Sequence, residues 1–198
     1  MDIQNFNFIK EKWAFTSSWA VWADAGEKPK SNIGDVSIFD LSVNENLLSI
    51  LNPNIIMVGL NVADRPIMRE WGNFHDLSPL GQDYKIRYAF NKTKYWGAYM
   101  TDFIKEYHET DSKKLKSQLN VNPKLIERNL LRFNEEINDI GAVNPLIIAF
   151  GNDAYSYMKK AKLHKKYRLI KIMHYSHHIS KETYRKNVLE VLEAKDNP

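Results

Sequence analysis

Residues Asn54-Ile55-Ile56-Met57-Val58-Gly59-Leu60-Asn61-Val62-Ala63 decide the fold. An apolar run of this length, closed by a glycine and then a polar side chain, reads as a buried strand ending in a tight turn. In open α/β sheets, ligands bind just beyond the carboxyl ends of the strands. Asn61 therefore stands where chemistry is expected.

Three further segments follow the same plan. Trp96-Gly97-Ala98-Tyr99-Met100 reads as a second strand, ending at Thr101-Asp102. Leu146–Phe150 is a third, ending at Gly151, with Asn152 placed to cap a helix from Asp153 to Lys160. Leu169–Met173 is a fourth, running into His174-Tyr175-Ser176-His177-His178. Helices alternate with these strands. The segment from Pro123 to Ile140 carries an apolar stripe of Leu125, Ile126, Leu130, Phe133 and Ile137. Ser180 caps a last helix, whose Tyr184, Val188, Val191 and Leu192 face inward. Upstream, the aromatic stretch Trp13–Trp22 reads as a helix, and Asn44–Leu51 as another, stopped by Asn52-Pro53-Asn54. Arg87–Phe90 suggests a short helix, after a long irregular segment from Asn61 to Tyr84 of the kind that often carries function.

Strands alternating with helices imply an α/β protein with a mostly parallel sheet and helices on both faces. Right-handed crossovers would put every strand's carboxyl end on one edge, gathering Asn61, Asp102, Gly151 and His174 on one rim.

The chain has 198 residues, which suits one domain over 1–198. It contains no cysteine, so disulfides, thiolate nucleophiles and Cys-zinc sites are excluded. No apolar run approaches the ~20 residues of a membrane span, and the expectation is a cytoplasmic monomer without a metal or cofactor. His174, His177 and His178 lack the carboxylate spacing of a metal site, and no Gly-rich phosphate loop is present. The net charge of +4 favours a polyanionic partner only slightly. Lys159, Lys160, Lys162, Lys165, Lys166, Arg168 and Lys171 read either as a solvated helix end or as a phosphate-facing patch.

The ordered set resembles the uracil-DNA glycosylase superfamily. Gly59-Leu60-Asn61-Val62-Ala63 is similar to its first motif, and Gly97–Lys105 to the strand ending in its base-reading residue. Leu146–Ala154 resembles its third strand and following helix, and His174-Tyr175-Ser176 its second motif. The resemblance implies a three-layer α/β/α sandwich with a central four-stranded parallel sheet. It implies cleavage of the N-glycosidic bond of a damaged base in DNA, flipped into a pocket, without metal or cofactor. Carried over by position, Asn61 would orient the attacking water, and His174 would stabilise the departing base. Gly59 and Leu60 would line the substrate site, Asp102 would read the base edge, Ser176 would meet a phosphate, and Phe74 or Tyr99 would stack on the base. Val62 and Tyr175 stand where the motifs usually carry proline. Asp102, if ionised, only accepts hydrogen bonds, which suits an exocyclic amine better than uracil O4. Asp102 also reads as a cap for a helix starting at Phe103. Asn61 is not a strong base, although Asp64 is near. Two other functions fit the same residues: a nucleic-acid-binding module of this fold without the chemistry, and a hydrolase of free nucleosides or other small molecules.

Overall fold

The run 54–60 lies inside β2 (Asn52–Asn61), the central strand of the sheet. The computed structural model describes residues 1–62 and 69–196. β2 pairs in parallel with β3 (Ala98–Ile104) on one side and β4 (Leu146–Phe150) on the other. β5 (Arg168–Ile172) pairs in parallel with β4. The four parallel strands are joined by a fifth, β1 (Ser17–Trp19), antiparallel to β3 at the edge. The sheet is therefore five-stranded and mostly parallel, in the order β1-β3-β2-β4-β5.

β1 corrects the expectation of a helix across Trp13–Trp22 and of a sheet with four strands. The helix is α1 (Ile3–Trp13), which ends where the aromatic stretch begins. Ser17 and Ser18 are fully buried and pair with Thr101 and Met100, and Ala20 continues the edge by donating to the Ala98 carbonyl.

Helices cover both faces, an arrangement compatible with an α/β/α sandwich. Alternation along the strands divides the core. Ile56 and Val58 of β2 join the cluster built on α1, α4 (Ser112–Val121), α5 (Pro123–Asp139) and α6 (Gly151–Lys160). Met57 joins the cluster built on α3 (Tyr84–Phe90) and α7 (Lys181–Asp196). α2 (Leu47–Ile50) is one turn long and delivers the chain into β2. Ser180 caps α7 as expected, its Oγ accepting from the Thr183 N–H at 3.1 Å. Tyr184, Val188 and Leu192 are buried, whereas Val191 is 39% exposed and faces outward. α6 starts at Gly151, so Asn152 lies inside it rather than capping it.

Two buried polar devices tie the layers together. Lys105 and Glu136 form an ion pair of 2.6 Å with both side chains 1% exposed. Glu136 also accepts from the Tyr99 hydroxyl and from Thr101. His75 is fully buried, with its Nε2 3.0 Å from the Val21 carbonyl oxygen and its Nδ1 3.0 Å from that of Asn73. Among the described residues, no helix is long and apolar enough to cross a membrane.

Candidate functional site

The chain leaves β2 for β3 on one side and later returns to β4 on the other. Connections that diverge from neighbouring strands leave a crevice at their carboxyl ends. A pocket of about 560 Å³ lies there, lined by Leu60, Asn61, Phe150, Gly151, His174 and Ser176 among others. Its far wall comes from Thr110, Ser112 and Lys116 around the start of α4.

Asn61 sits at the last position of β2. Its Nδ2 donates to the Glu109 carbonyl at 2.7 Å and to the Val62 carbonyl at 3.0 Å. This fixes the amide and ties the segment after β3 to the pocket. Both bonds use the nitrogen, and Oδ1, an acceptor, makes no hydrogen bond among the described residues. Ala63 and Asp64 lie outside the described residues.

His174 follows β5 and is held in one tautomer. The Ser176 N–H donates to its Nδ1 at 3.1 Å, and Ser176 Oγ lies 2.8 Å from the same nitrogen. Nδ1 is then the acceptor, and the neutral ring carries its proton on Nε2. Burial pushes the imidazole down to about 4; His177 adds to that shift and Asp153 opposes it. The ring is neutral at physiological pH and stacks on Tyr175 at 4.4 Å and 21°.

Gly151 begins α6 with φ +83°, a conformation that favours glycine. A Cβ there would lie 3.1 Å from the His174 Cβ, so the glycine also lets the imidazole approach the helix. No side chain caps α6, and its first N–H groups and dipole favour negative charge in the pocket. Lys116 pairs with Asp153 at 2.7 Å, and Lys171 donates to Asn152 at 2.8 Å along the same wall.

The structure thus brings Leu60, Asn61, His174 and Ser176 together. Gly59, Phe74 and Asp102 form a separate buried cluster on the α3/α7 side. Asp102 is paired with Gly59 inside β3, which continues to Ile104. It therefore neither ends its strand nor caps a helix. Its Oδ2 accepts from Asn73 Nδ2 at 2.9 Å. A Cβ on Gly59 would lie 2.1 Å from Asp102 Oδ1 and 3.5 Å from Phe74 Cζ, so only glycine admits this carboxylate. Phe150 links the two clusters: it lines the pocket, and its ring centroid is 6.2 Å from that of Phe74.

Tyr99 belongs to neither. It points to the opposite face, fully buried, with its hydroxyl donating to Glu136 at 2.8 Å and its ring against Trp19. It cannot stack on a ligand from there. The lysine cluster is also displaced. α6 runs away from the pocket, so Lys159, Lys160, Lys165 and Lys166 gather at the opposite edge of the sheet, whereas Lys171 is tied to the pocket residue Asn152. Trp71 and His75 are buried, and neither lines this pocket.

Sequence reasoning missed Phe150 as a partner of the site, and the α4 wall. Asp111 caps α4 through the Lys113 N–H at 2.8 Å, a cap legible in Asp111-Ser112. Nothing local announces that this helix start faces Asn61. Among the described residues, no group of three or more His, Asp or Glu side chains is placed to hold a metal. No protein-family model, no curated protein and no solved structure matches this chain.

Proposed function

We propose that this α/β protein hydrolyses the N-glycosidic bond of a deaminated base in DNA, as a member of the uracil-DNA glycosylase superfamily. The observation that carries the reading is the pairing, across one pocket, of an oriented acceptor on Asn61 with a neutral, donating imidazole on His174. Hydrolysis at C1′ needs a water held on one side of the sugar and a donor on the other, where charge builds on the departing base. Asn61 Oδ1 would hold the water. His174 Nε2 would donate to the pyrimidine O2, stabilising the transition state more than the ground state. The uncapped start of α6, with Ser176, would receive the strand's phosphate. Phe150 would meet the flipped base, and Asp102 would read its edge once Phe150 withdraws from Phe74.

Removing one such donor costs about 10²–10³ in rate. His174→Ala should lower single-turnover excision by that factor while leaving oligonucleotide binding within a few-fold. An unchanged excision rate in His174→Ala would remove the imidazole from the mechanism.

Two observations favour a second reading, a nucleic-acid-binding module of the same fold without chemistry. Asp102 is engaged by Asn73 behind Phe150, and Asn61 spends its amide nitrogen on the Glu109 carbonyl. Salt-sensitive DNA binding with no abasic product on any damaged base would select it.

A further inference from the structure

The run from residue 154 to 180 holds seven lysines and arginines and no aspartate or glutamate. The rest of the chain holds 21 basic residues against 24 acidic ones, so the positive net charge of the protein arises here. The run forms one flank of the molecule: α6, the turn at 162–166 and the edge strand β5. Lys159, Lys160, Lys162, Lys165, Lys166 and Lys171 are all exposed on it. Part of this has a structural cause. Lys159 and Lys160 complement the dipole at the end of α6, and Lys171 guards the open edge of β5. Neither cause covers Lys162, Lys165 and Lys166. They stand three and four positions apart across a helical turn, where like charges repel and cost stability.

The partners of these ammonium groups leave their charge in place. Lys171 donates to Asn152 at 2.8 Å and Lys166 to Asn134 at 3.1 Å. Lys160 Nζ lies 4.5 Å from the Tyr157 ring centroid, and Lys166 Nζ 4.9 Å from that of Tyr167. Lys159 and Lys171 approach the Tyr155 ring at 5.6 and 6.0 Å. Amides and rings thus order the side chains without neutralising them. Among the described residues, none of the six lysines pairs with a carboxylate, whereas Lys10, Lys12 and Lys116 elsewhere do. Asp153, the acid that precedes the run, is already paired with Lys116 at 2.7 Å. The charged line begins at the pocket. Asn152 lines it, and Lys171, Tyr155 and Lys159 follow in turn down the flank.

We propose that this flank is an interaction surface for a nucleic-acid backbone, which it carries from the mouth of the pocket to the opposite edge of the sheet. α6 has ten residues, a length of roughly 15 Å. A duplex bears one negative charge per about 1.7 Å, so roughly nine phosphates lie along that length. Release of their counterions drives the association, and the repulsion among Lys162, Lys165 and Lys166 is relieved. An anionic bilayer fits less well. It calls for apolar side chains that enter the acyl boundary, and no large apolar side chain is exposed between residues 154 and 180. The proposal accords with the DNA reading of the pocket but rests on the flank alone.

The test is fluorescence anisotropy of a labelled, lesion-free oligonucleotide, duplex or single-stranded, titrated with the full chain from about 50 to 300 mM salt. Two triple variants lose the same charge. One is Lys160→Gln with Lys165→Gln and Lys166→Gln on the flank; the other is Lys28→Gln with Lys92→Gln and Lys186→Gln elsewhere. All six positions are exposed, so both variants should melt like the parent. The parent's affinity should fall steeply with salt. The flank variant should bind about tenfold more weakly or worse, and its slope of log K against log salt should shrink by about 2–3. The other triple variant and Asn61→Ala should keep the parent's slope. Whichever form binds more tightly names the backbone that the flank follows. The proposal is overturned if the parent binds neither form, if the two triple variants lose slope alike, or if the parent binds phosphatidylserine vesicles and not DNA. An excising parent whose flank variant keeps the full slope would fail this proposal alone. Flank-dependent binding without excision would fail only the function proposed for the pocket.

Discussion

Gly59→Ala is the perturbation that most sharply tests the packing beneath the pocket. The added Cβ would lie 2.1 Å from Asp102 Oδ1 and 3.5 Å from Phe74 Cζ. The first distance is far below contact, and Asp102 is 5% exposed on a strand paired with neighbours on both sides. Its carboxylate can escape only by rotating, which breaks the 2.9 Å bond from Asn73 Nδ2. Overpacking of this kind costs about 1–3 kcal/mol. A lost hydrogen bond to a charged group adds roughly 1.5–3 kcal/mol. The sum, about 2.5–6 kcal/mol, should lower Tm by roughly 5–24 °C for a chain of this size. The assay is urea denaturation of the parent, Gly59→Ala, Asp102→Ala and the double variant. With the carboxylate gone the methyl group has room, so Gly59→Ala should cost under about 1 kcal/mol in the Asp102→Ala background. A single variant within about 0.5 kcal/mol of the parent would refute the reasoning. So would an equal cost in both backgrounds.

Other outcomes follow from the same structure. Burial, aided by Arg69 and Arg87 and opposed by the Val21 and Asn73 carbonyls, lowers the His75 pKa from 6.5 to about 4. The unfolded chain then binds the proton more readily. Stability is therefore complete above 6.5, falls as pH drops towards 4 and levels off below it, for a loss of roughly 3 kcal/mol; a His75→Phe variant measured by urea denaturation across pH should show a flatter slope. Lys105→Met strands the buried Glu136 carboxylate and should cost about 3–5 kcal/mol, with much of it recovered by adding Glu136→Leu; a cost below about 1 kcal/mol in the single variant would show the pair to be solvated. Excision should show no acidic limb near 6.5 from His174, because its pKa is already about 4; a pH–rate profile with that limb would place the ring in a polar environment instead.

The parts of the fold legible in the sequence are those set by local pattern. β4 is an uninterrupted apolar run closed by glycine, and α5 carries its stripe at helical spacing, so both were readable within a residue or two. β1 was not. Its three residues have no period of their own and include two serines, and it exists because Ser17 and Ser18 pair with a strand more than 80 positions away. Asp102 was misplaced for a similar reason. A carboxylate reads as the end of an apolar strand, yet here Gly59 leaves it space and Asn73 supplies a donor, and neither neighbour is local. Tyr99 shows the cost of a period of two: an error of one residue sends the side chain to the other face. Its alternation with Ala98 and Met100 turns it towards Glu136. Asn61 and His174 were legible because strand ends in a parallel sheet share one edge, and that topology follows from element order alone.

The most direct measurement is a glycosylase assay on labelled oligonucleotides, each carrying one uracil, hypoxanthine or xanthine, followed by alkaline cleavage of abasic sites. The account predicts a lesion-specific cut by the parent chain that Asn61→Ala and His174→Ala lose while remaining folded. No abasic product from the folded parent on any lesion, or equal cutting by both variants, would contradict it.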